Sequence, residues 1–292
     1  MYELIKVAEN SYYIESPAKI GLIKVGDKEV CLIDSGNDKD AGKKVKKLLD
    51  EKGWTLKTIY NTHSNADHIG GNKYLQTQTG CKIYAPGTEC AFTNHPILEP
   101  SYLYGGYPSA DLRHKFLLAQ ESSAEYLSSE VLPKGMEIIR LPGHFFDMVG
   151  FRTEDDVVYL ADCLSSKETL DKYKIGVIYD VEKYIATLQN VKEMTAKLFI
   201  PSHAVPTEDI SGLAQYNIDC VFEVANKILE ICKAPRNFEA VLQKLFSKFE
   251  LKMTVEQYVL VGSTVRSYLS WLKDSGKAEI LIENNQLLWK SV

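Results

Sequence analysis

THSNADHIGG, residues 62–71, follows an apolar run at 56–60 and puts His63, Asp67 and His68 within six positions of one another. The run has the length and β-rich composition of a strand, and Gly70-Gly71 marks a turn, so the polar cluster sits where a strand ends. Asp67 and His68 are adjacent, and neighbours in a regular strand point to opposite faces. Both can reach one site only from a loop. Working outward, the same placement recurs: His144 in LPGH after 137–141, His203 in IPSH after 198–200, Asp162 in YLADC and Asp34 in LIDSG. Loops leaving one edge of a sheet bring such strand ends together in layered α/β proteins. A single histidine of this kind is better explained as structural or surface. Four of the chain's six histidines at strand ends, with aspartates placed the same way, point to a borderline-soft divalent metal.

The segments between these ends set the architecture. Residues 4–8, 12–14, 20–25 and 30–33 read as a meander of short strands. A helix over 39–52 carries Val45, Leu48 and Leu49 at helical spacing and stops at Gly53. A helix over 70–80, a strand over 81–85 and a helix start at 86–93 follow. Strands at 137–141, 148–153 and 157–160, a helix at 181–195 and a strand at 198–200 complete a rhythm that indicates a layered α/β (α+β) domain. Residues 94–130 break it with Pro96, Pro100, Gly105-Gly106, Pro108 and several tyrosines, and read as an irregular insertion, either a substrate wall or surface packing. Beyond Gly212 the chain reads as helices at 213–233, 237–249 and 255–273, the last broken near Gly262-Ser263. Two short strands then flank an Asn284-Asn285 turn. That outline is a winged helix, so the predicted division is 1–211 for the metal-binding domain and 212–292 for a small C-terminal helical, winged-helix-like domain.

The composition supports an ordinary soluble protein: 292 residues, 45% hydrophobic, 25% charged, net charge -5. No stretch has the roughly 18–20 apolar residues of a membrane span, and the N-terminus lacks the layout of a secretion signal, so a cytoplasmic location is expected. Six cysteines without CxxC spacing read as reduced, mostly buried thiols. GxSxG, P-loop and GxGxxG motifs are missing, which leaves serine hydrolases, nucleotide hydrolases and dinucleotide enzymes without support. Residues 213–292 carry ten Lys and Arg against nine Asp and Glu, about +1, too little concentrated charge for nucleic acid. The tail is better read as completing the site wall or forming a homodimer. His95 and His114 read as ordinary polar residues, Cys163 as buried beside the site, and Asp147 as a cap, a surface residue or an outer group.

THSNADHIGG (62–71), PGH (142–144), ADCL (161–164), SHA (202–204), LIDSG (32–36) and GGNKYLQTQTGCKIYAP (70–86) together resemble the metallo-β-lactamase superfamily, over about residues 10–205. The resemblance implies a four-layered αββα sandwich with metals at one rim. It implies His63 and His144 at a first metal position, Asp67, His68 and His203 at a second, and Asp162 bridging the two. The bridge is physically reasonable, because an anion with two oxygens can hold two cations that would otherwise repel. Asp34 would orient a ligating imidazole from behind or cap a strand-end turn. The family pattern HxHxDH has histidine where this chain has Asn65, which is kept among the metal positions although an amide oxygen is a poorer zinc donor than imidazole nitrogen. The second position should therefore fill first, and the first should be weak, empty or taken by manganese or iron. The implied cofactor is zinc, one or two ions, and the implied reaction is attack of metal-bound hydroxide on a small-molecule ester, thioester or lactone. Asp67 and Asp162 are the catalytic carboxylates, holding the nucleophile, with Asp67 able to accept its proton. Two other readings are a metal-binding sensor without turnover, which fits Asn65, and a phosphodiester hydrolase using the tail for RNA.

Overall fold

The structure is a computed structural model and describes residues 2–292. Among these residues, β1 (Glu3–Lys6), β2 (Ser11–Glu15), β3 (Ile20–Lys24), β4 (Glu29–Ile33), β5 (Thr55–Tyr60), β6 (Lys82–Ala85) and β7 (Glu125–Tyr126) form one sheet in sequence order. A second sheet has the order β11-β10-β9-β8, from β8 (Glu137–Arg140), β9 (Val149–Arg152), β10 (Val157–Ala161) and β11 (Leu198–Pro201). The helices are α1 (Lys39–Lys52), α2 (Ala66–Ile69), α3 (Asn72–Thr79), α4 (Gly87–Asn94), α5 (Leu98–Tyr104), α6 (Lys167–Tyr173), α7 (Val181–Lys192), α8 (Ser211–Ile231), α9 (Phe238–Lys248) and α10 (Val255–Asp274). A hairpin of β12 (Ala278–Glu283) and β13 (Gln286–Ser291) closes the chain.

The layers follow from strand alternation, because successive side chains face opposite sides of a sheet. Ile14, Leu22, Val30, Leu32, Ile59 and Ile83 pack outward against Val45 and Leu49 of α1 and Leu75 of α3. Their neighbours Tyr13, Ile23, Cys31, Ile33, Tyr60 and Tyr84 face the other way and meet Phe151, Val157, Tyr159 and Ile200 of the second sheet. Val158, Leu160 and Phe199 on the far side of that sheet pack beneath α7 and α8. Helix, sheet, sheet, helix is the αββα sandwich that the motifs imply. Strands β4 and β5 run parallel, as do β10 and β11, while β8 and β9 and then β9 and β10 are antiparallel. Strand β8 therefore has the direction of β10, and the segments after β4, β5, β8, β10 and β11 leave at the rim where the motif residues lie.

Three sequence expectations need correction. Asp67 and His68 sit on the one-turn helix α2 rather than on a loop; a helical turn also lets neighbours converge, which a strand forbids. The stretch 94–130 is not wholly irregular: it holds α5, short 3-10 turns at 110–112 and 129–131, and β7. Pro100 lies in the first turn of α5, where its missing N–H does no harm. Helix α10 is unbroken at Gly262, whose bare Cα faces Leu242 and Phe238 of α9. The glycine there sits inside a continuous helix and does not end it.

The C-terminal helices share a core with the second sheet. One buried cluster runs from Leu160 and Phe199 through Leu188 and Val191 of α7 to Val221 and Ile228 of α8, Leu242 of α9, and Leu269 and Leu272 of α10. The terminal hairpin turns at Asn284 and Asn285, both with positive φ, as a two-residue turn of mirror-image type requires. No helix among the described residues is long and apolar enough to cross a membrane.

Candidate metal centre

Each strand end that carries a site residue has a local reason for its shape. Asp34 follows β4 with φ 65, a left-handed conformation uncommon for a non-glycine residue. Its carboxylate compensates by accepting from Thr62 N–H at 2.8 Å, Thr62 Oγ1 at 2.7 Å and His68 Nδ1 at 2.8 Å. Ala161 at the end of β10 is also left-handed, φ 51, and turns the following Asp162 out of the strand. Gly143 precedes His144 at φ 123, and a Cβ there would collide with the Tyr184 backbone, which explains the PGH turn.

The four imidazoles are held in one pattern. His63 Nδ1 lies 2.9 Å from Thr62 Oγ1, whose own proton goes to Asp34. His68 Nδ1 faces Asp34, His144 Nδ1 faces the Val177 carbonyl at 2.9 Å, and His203 Nδ1 faces the Pro17 carbonyl at 2.9 Å. Each Nδ1 therefore meets an acceptor and is the nitrogen that holds the proton when the ring is neutral, which leaves Nε2 as the atom offered to a cation. Those Nε2 atoms converge. His68 Nε2 is 3.1 Å from Asp162 Oδ1 and 3.8 Å from Asp67 Oδ2. His203 Nε2 is 3.3 Å from Asp67 Oδ2 and 3.2 Å from Asp162 Oδ2, and His144 Nε2 is 3.9 Å from Asp162 Oδ2. The His63 and His68 rings are 4.1 Å apart. Two groups result, Asp67–His68–Asp162–His203 and His63–His144–Asp162, each with donor atoms within 4.8 Å of one another and Asp162 common to both.

The donors fit a divalent cation. His63 Nε2, His68 Nε2 and Asp162 Oδ1 are buried without any hydrogen-bond partner, an arrangement that water-excluded polar atoms rarely tolerate. The site mixes neutral imidazole nitrogen with carboxylate oxygen, which suits zinc and, with more oxygen, manganese or iron. Buried charges shift one another strongly. Burial and the neighbouring His68 hold His63 well below its ordinary pKa, and burial lowers His144. Burial would also lower His68, but Asp162, Asp67 and Asp34 outweigh it and raise His68 well above. Asp162 outweighs burial at His203 and, with Asp67, pushes it up to about 10. Burial opposes ionisation of Asp67 and Asp162, yet His68 and His203 hold both below the ordinary carboxylate range.

All seven side chains singled out in the sequence, His63, Asn65, Asp67, His68, His144, Asp162 and His203, lie at this rim. Asn65 stands with its Oδ1 3.2 Å from His144 Nε2 and its Nδ2 donating to Glu99 Oε1 at 2.7 Å. Asp147 accepts from Thr88 N–H at the start of α4, the cap among its possible roles. Cys163 is fully buried, and His114 faces Glu256 at 3.5 Å, away from the centre. Sequence reasoning missed two buried glutamates. Glu89 on α4 accepts from Ser64 N–H at 3.1 Å, Ser64 Oγ at 2.5 Å and Asp147 N–H at 2.9 Å, and burial pushes its carboxyl up to about 7. Burial likewise raises Glu99 on α5. The only sequence signal was an acid among apolar residues of a short helix. Also missed was an aromatic wall in which Tyr102, Phe145, Phe146 and Tyr179 pack edge to face and stacked beside His63. A cavity of about 670 Å³ abuts it, lined by Tyr102, Tyr179, Glu182, Arg266 and Trp271 and by none of the seven rim residues.

Two facing sheets with helices outside and imidazoles and carboxylates clustered at one rim define the class. A family model described as "Metallo-beta-lactamase superfamily" matches residues 9–203, and the chain belongs to that superfamily. A hydroxyacylglutathione hydrolase from Rhodopseudomonas palustris (strain BisB18) is 30% identical over 122 residues, 40% of this chain and 38% of that protein. The chain spans less than two-fifths of the length of the curated relatives it matches. Among solved structures, a beta-lactamase domain protein from Burkholderia ambifaria aligns with TM-score 0.74 at 14% identity, covering 99% of this chain and 94% of that one. A metallo-beta-lactamase family protein from Thermus thermophilus aligns with TM-score 0.72 at 15% identity, covering 100% and 98%. Both likenesses extend past residue 211, so the fold of the whole chain has counterparts.

Proposed function

We propose that the protein is a zinc-dependent hydrolase of a small-molecule acyl thioester, with related esters and lactones as weaker substrates. The observation that carries the reading is the set of four Nδ1-anchored imidazoles whose Nε2 atoms converge on two carboxylates. The thioester preference rests on the hydroxyacylglutathione hydrolases among the relatives. Asp67, His68, Asp162 and His203 would hold one ion and His63, His144 and Asp162 a second; the four-donor position fills first. A divalent cation bound there lowers the pKa of water toward about 7 and polarises a carbonyl oxygen.

The chain's own residues do the rest. Asp162, fixed by the turn at Ala161, holds the two positions at a set separation. Asp67 is the more open carboxylate, 38% exposed against 12% for Asp162, so it is the group that meets and holds an incoming water. Tyr102, Phe146 and Tyr179 exclude solvent from the His144 side and give an acyl chain an apolar wall. Residues 1–211 are read as the metal-binding unit and 212–292 as the unit that backs this wall. Nucleic acid is not the partner proposed: Arg266 stacks on Phe238 at 3.6 Å and Lys273 lies 3.4 Å from Asp274.

A panel of hydroxyacyl-glutathione thioester, lactone, phosphodiester and β-lactam, run with zinc, manganese or iron added separately, tests the reading. Thioester turnover that disappears in Asp162→Ala is expected. Metal binding without turnover on any member would replace the enzyme with a sensor, and phosphodiester cleavage alone would move it to the nucleases.

A further inference from the structure

We infer that Glu99 is a positioning residue that makes Asn65 a metal donor, so that the first position is built from His63, Asn65, His144 and Asp162. The inference rests on the reading of the rim as a metal centre and goes beyond it in assigning a role to the one position where the histidine pattern fails. Two constraints carry it. His144 Nδ1 faces the Val177 carbonyl, a group that can only accept, so the ring proton is on Nδ1 and Nε2 bears a lone pair. Asn65 Nδ2 faces the Glu99 carboxylate at 2.7 Å, which turns the amide so that Oδ1 looks toward His144. The result is a lone pair on Nε2 and a lone pair on Oδ1 facing each other at 3.2 Å, with the ring proton already committed elsewhere. Such a pair repels unless a cation lies against both.

Glu99 also suits this task by its environment. It is 4% exposed and anchored on α5, so its carboxyl group is held in place by packing as well as by the bond to Asn65. A carboxyl oxygen accepting from an amide N–H draws electron density toward the amide oxygen and strengthens it as a donor, as hydrogen-bonded outer partners do for ligating groups generally. Helices α4 and α5 each send one buried glutamate to the same turn, Glu89 to Ser64 and Glu99 to Asn65. The turn is thereby held from behind at the two residues that separate His63 from α2.

Stepwise zinc affinities, measured by chelator competition on the full-length protein, test the inference, with cobalt absorption spectra as a second readout of donor number. Glu99→Ala should weaken one of the two zinc steps by about 10–100-fold, the usual effect of removing an outer partner, and leave the other unchanged. Asn65→Ala should weaken the same step, and Asn65→Ala with Glu99→Ala should be no weaker than Asn65→Ala alone, because Glu99 acts through the amide. Glu99→Gln, which keeps the volume should the alanine variant melt early, should weaken that step to a smaller degree. Fully additive losses, or two zinc steps insensitive to both residues, would overturn the inference. The isotherms need no substrate, so a protein that binds zinc in this way yet cleaves no thioester refutes the proposed reaction alone. Absence of any zinc step would instead remove the metal centre itself.

Discussion

Asp34 touches no incoming ligand, yet three donors depend on it: the Thr62 amide, the Thr62 hydroxyl and His68 Nδ1. Through Thr62 it also sets the proton on His63, so one carboxylate orients two imidazoles. Asp34→Asn would put an amide donor against one of three donors, and zinc affinity should fall by about 10–100-fold in chelator competition while the fold persists. Glu89 gives a prediction in pH. Its carboxyl is raised from 4.5 to about 7, so the native state keeps the proton to higher pH than the unfolded chain. Stability it supplies at low pH is therefore lost as pH rises from about 4.5 toward 7, then levels off. A gap of that size corresponds to roughly 3 kcal/mol at most. Glu89→Gln does not titrate, so the difference in unfolding free energy between wild type and variant should drift in favour of the variant across that window. A pH-independent difference would mean that the three hydrogen bonds to Glu89 keep it ionised in the native state.

Helix α10 reaches the centre through one loop. Thr264 Oγ1 accepts from the Ile178 N–H at 3.1 Å, and Ser267 Oγ donates to the Tyr179 carbonyl at 2.8 Å. The Tyr179 N–H in turn bonds to the Gly143 and His144 carbonyls, and Val177 in the same loop holds His144 Nδ1. Thr264 is fully buried, so Thr264→Val strands the Ile178 N–H and should cost about 1–3 kcal/mol. Chelator competition should also report weaker zinc binding at the position that uses His144; unchanged affinity would mean the loop is held without α10. The strands leading to the centre were legible in sequence because their apolar runs end in the motifs, and the seven rim residues were legible because chemistry-bearing types recur at those ends. What supports them was not. The carbonyls of Val177 and Pro17 carry no side-chain signal, and Glu89 and Glu99 become partners of Ser64 and Asn65 only when α4 and α5 fold back over the 62–71 turn. Gly262 misled for a related reason: packing of α10 on its neighbours carries the helix through a residue whose local propensity disfavours it.

The chain divides by texture near residue 211, but its largest apolar cluster does not. Leu160 of β10 and Leu188 of α7 share that cluster with Val221 and Ile228 of α8, Leu242 of α9, and Leu269 and Leu272 of α10. Each is almost fully buried, and burying a side chain of this size stabilises by about 1.5–3 kcal/mol. The five on the C-terminal side thus contribute on the order of 10 kcal/mol, comparable to the whole net stability of a typical domain, about 5–15 kcal/mol. Neither part can lose the other and keep its core dry. Ile228→Ala, wholly buried in α8, should cost about 2–5 kcal/mol, and the loss should reach both sides of the cluster. Hydrogen exchange on the metal-free protein reads this directly, since amides protected by a shared cooperative unit lose protection together. Protection in β10 and in α10 should fall by the same free energy in the variant. If α10 lost protection while β10 kept it, the tail would be an independent unit docked on the sandwich, and its support of the His144 loop would be local rather than a consequence of one folded body.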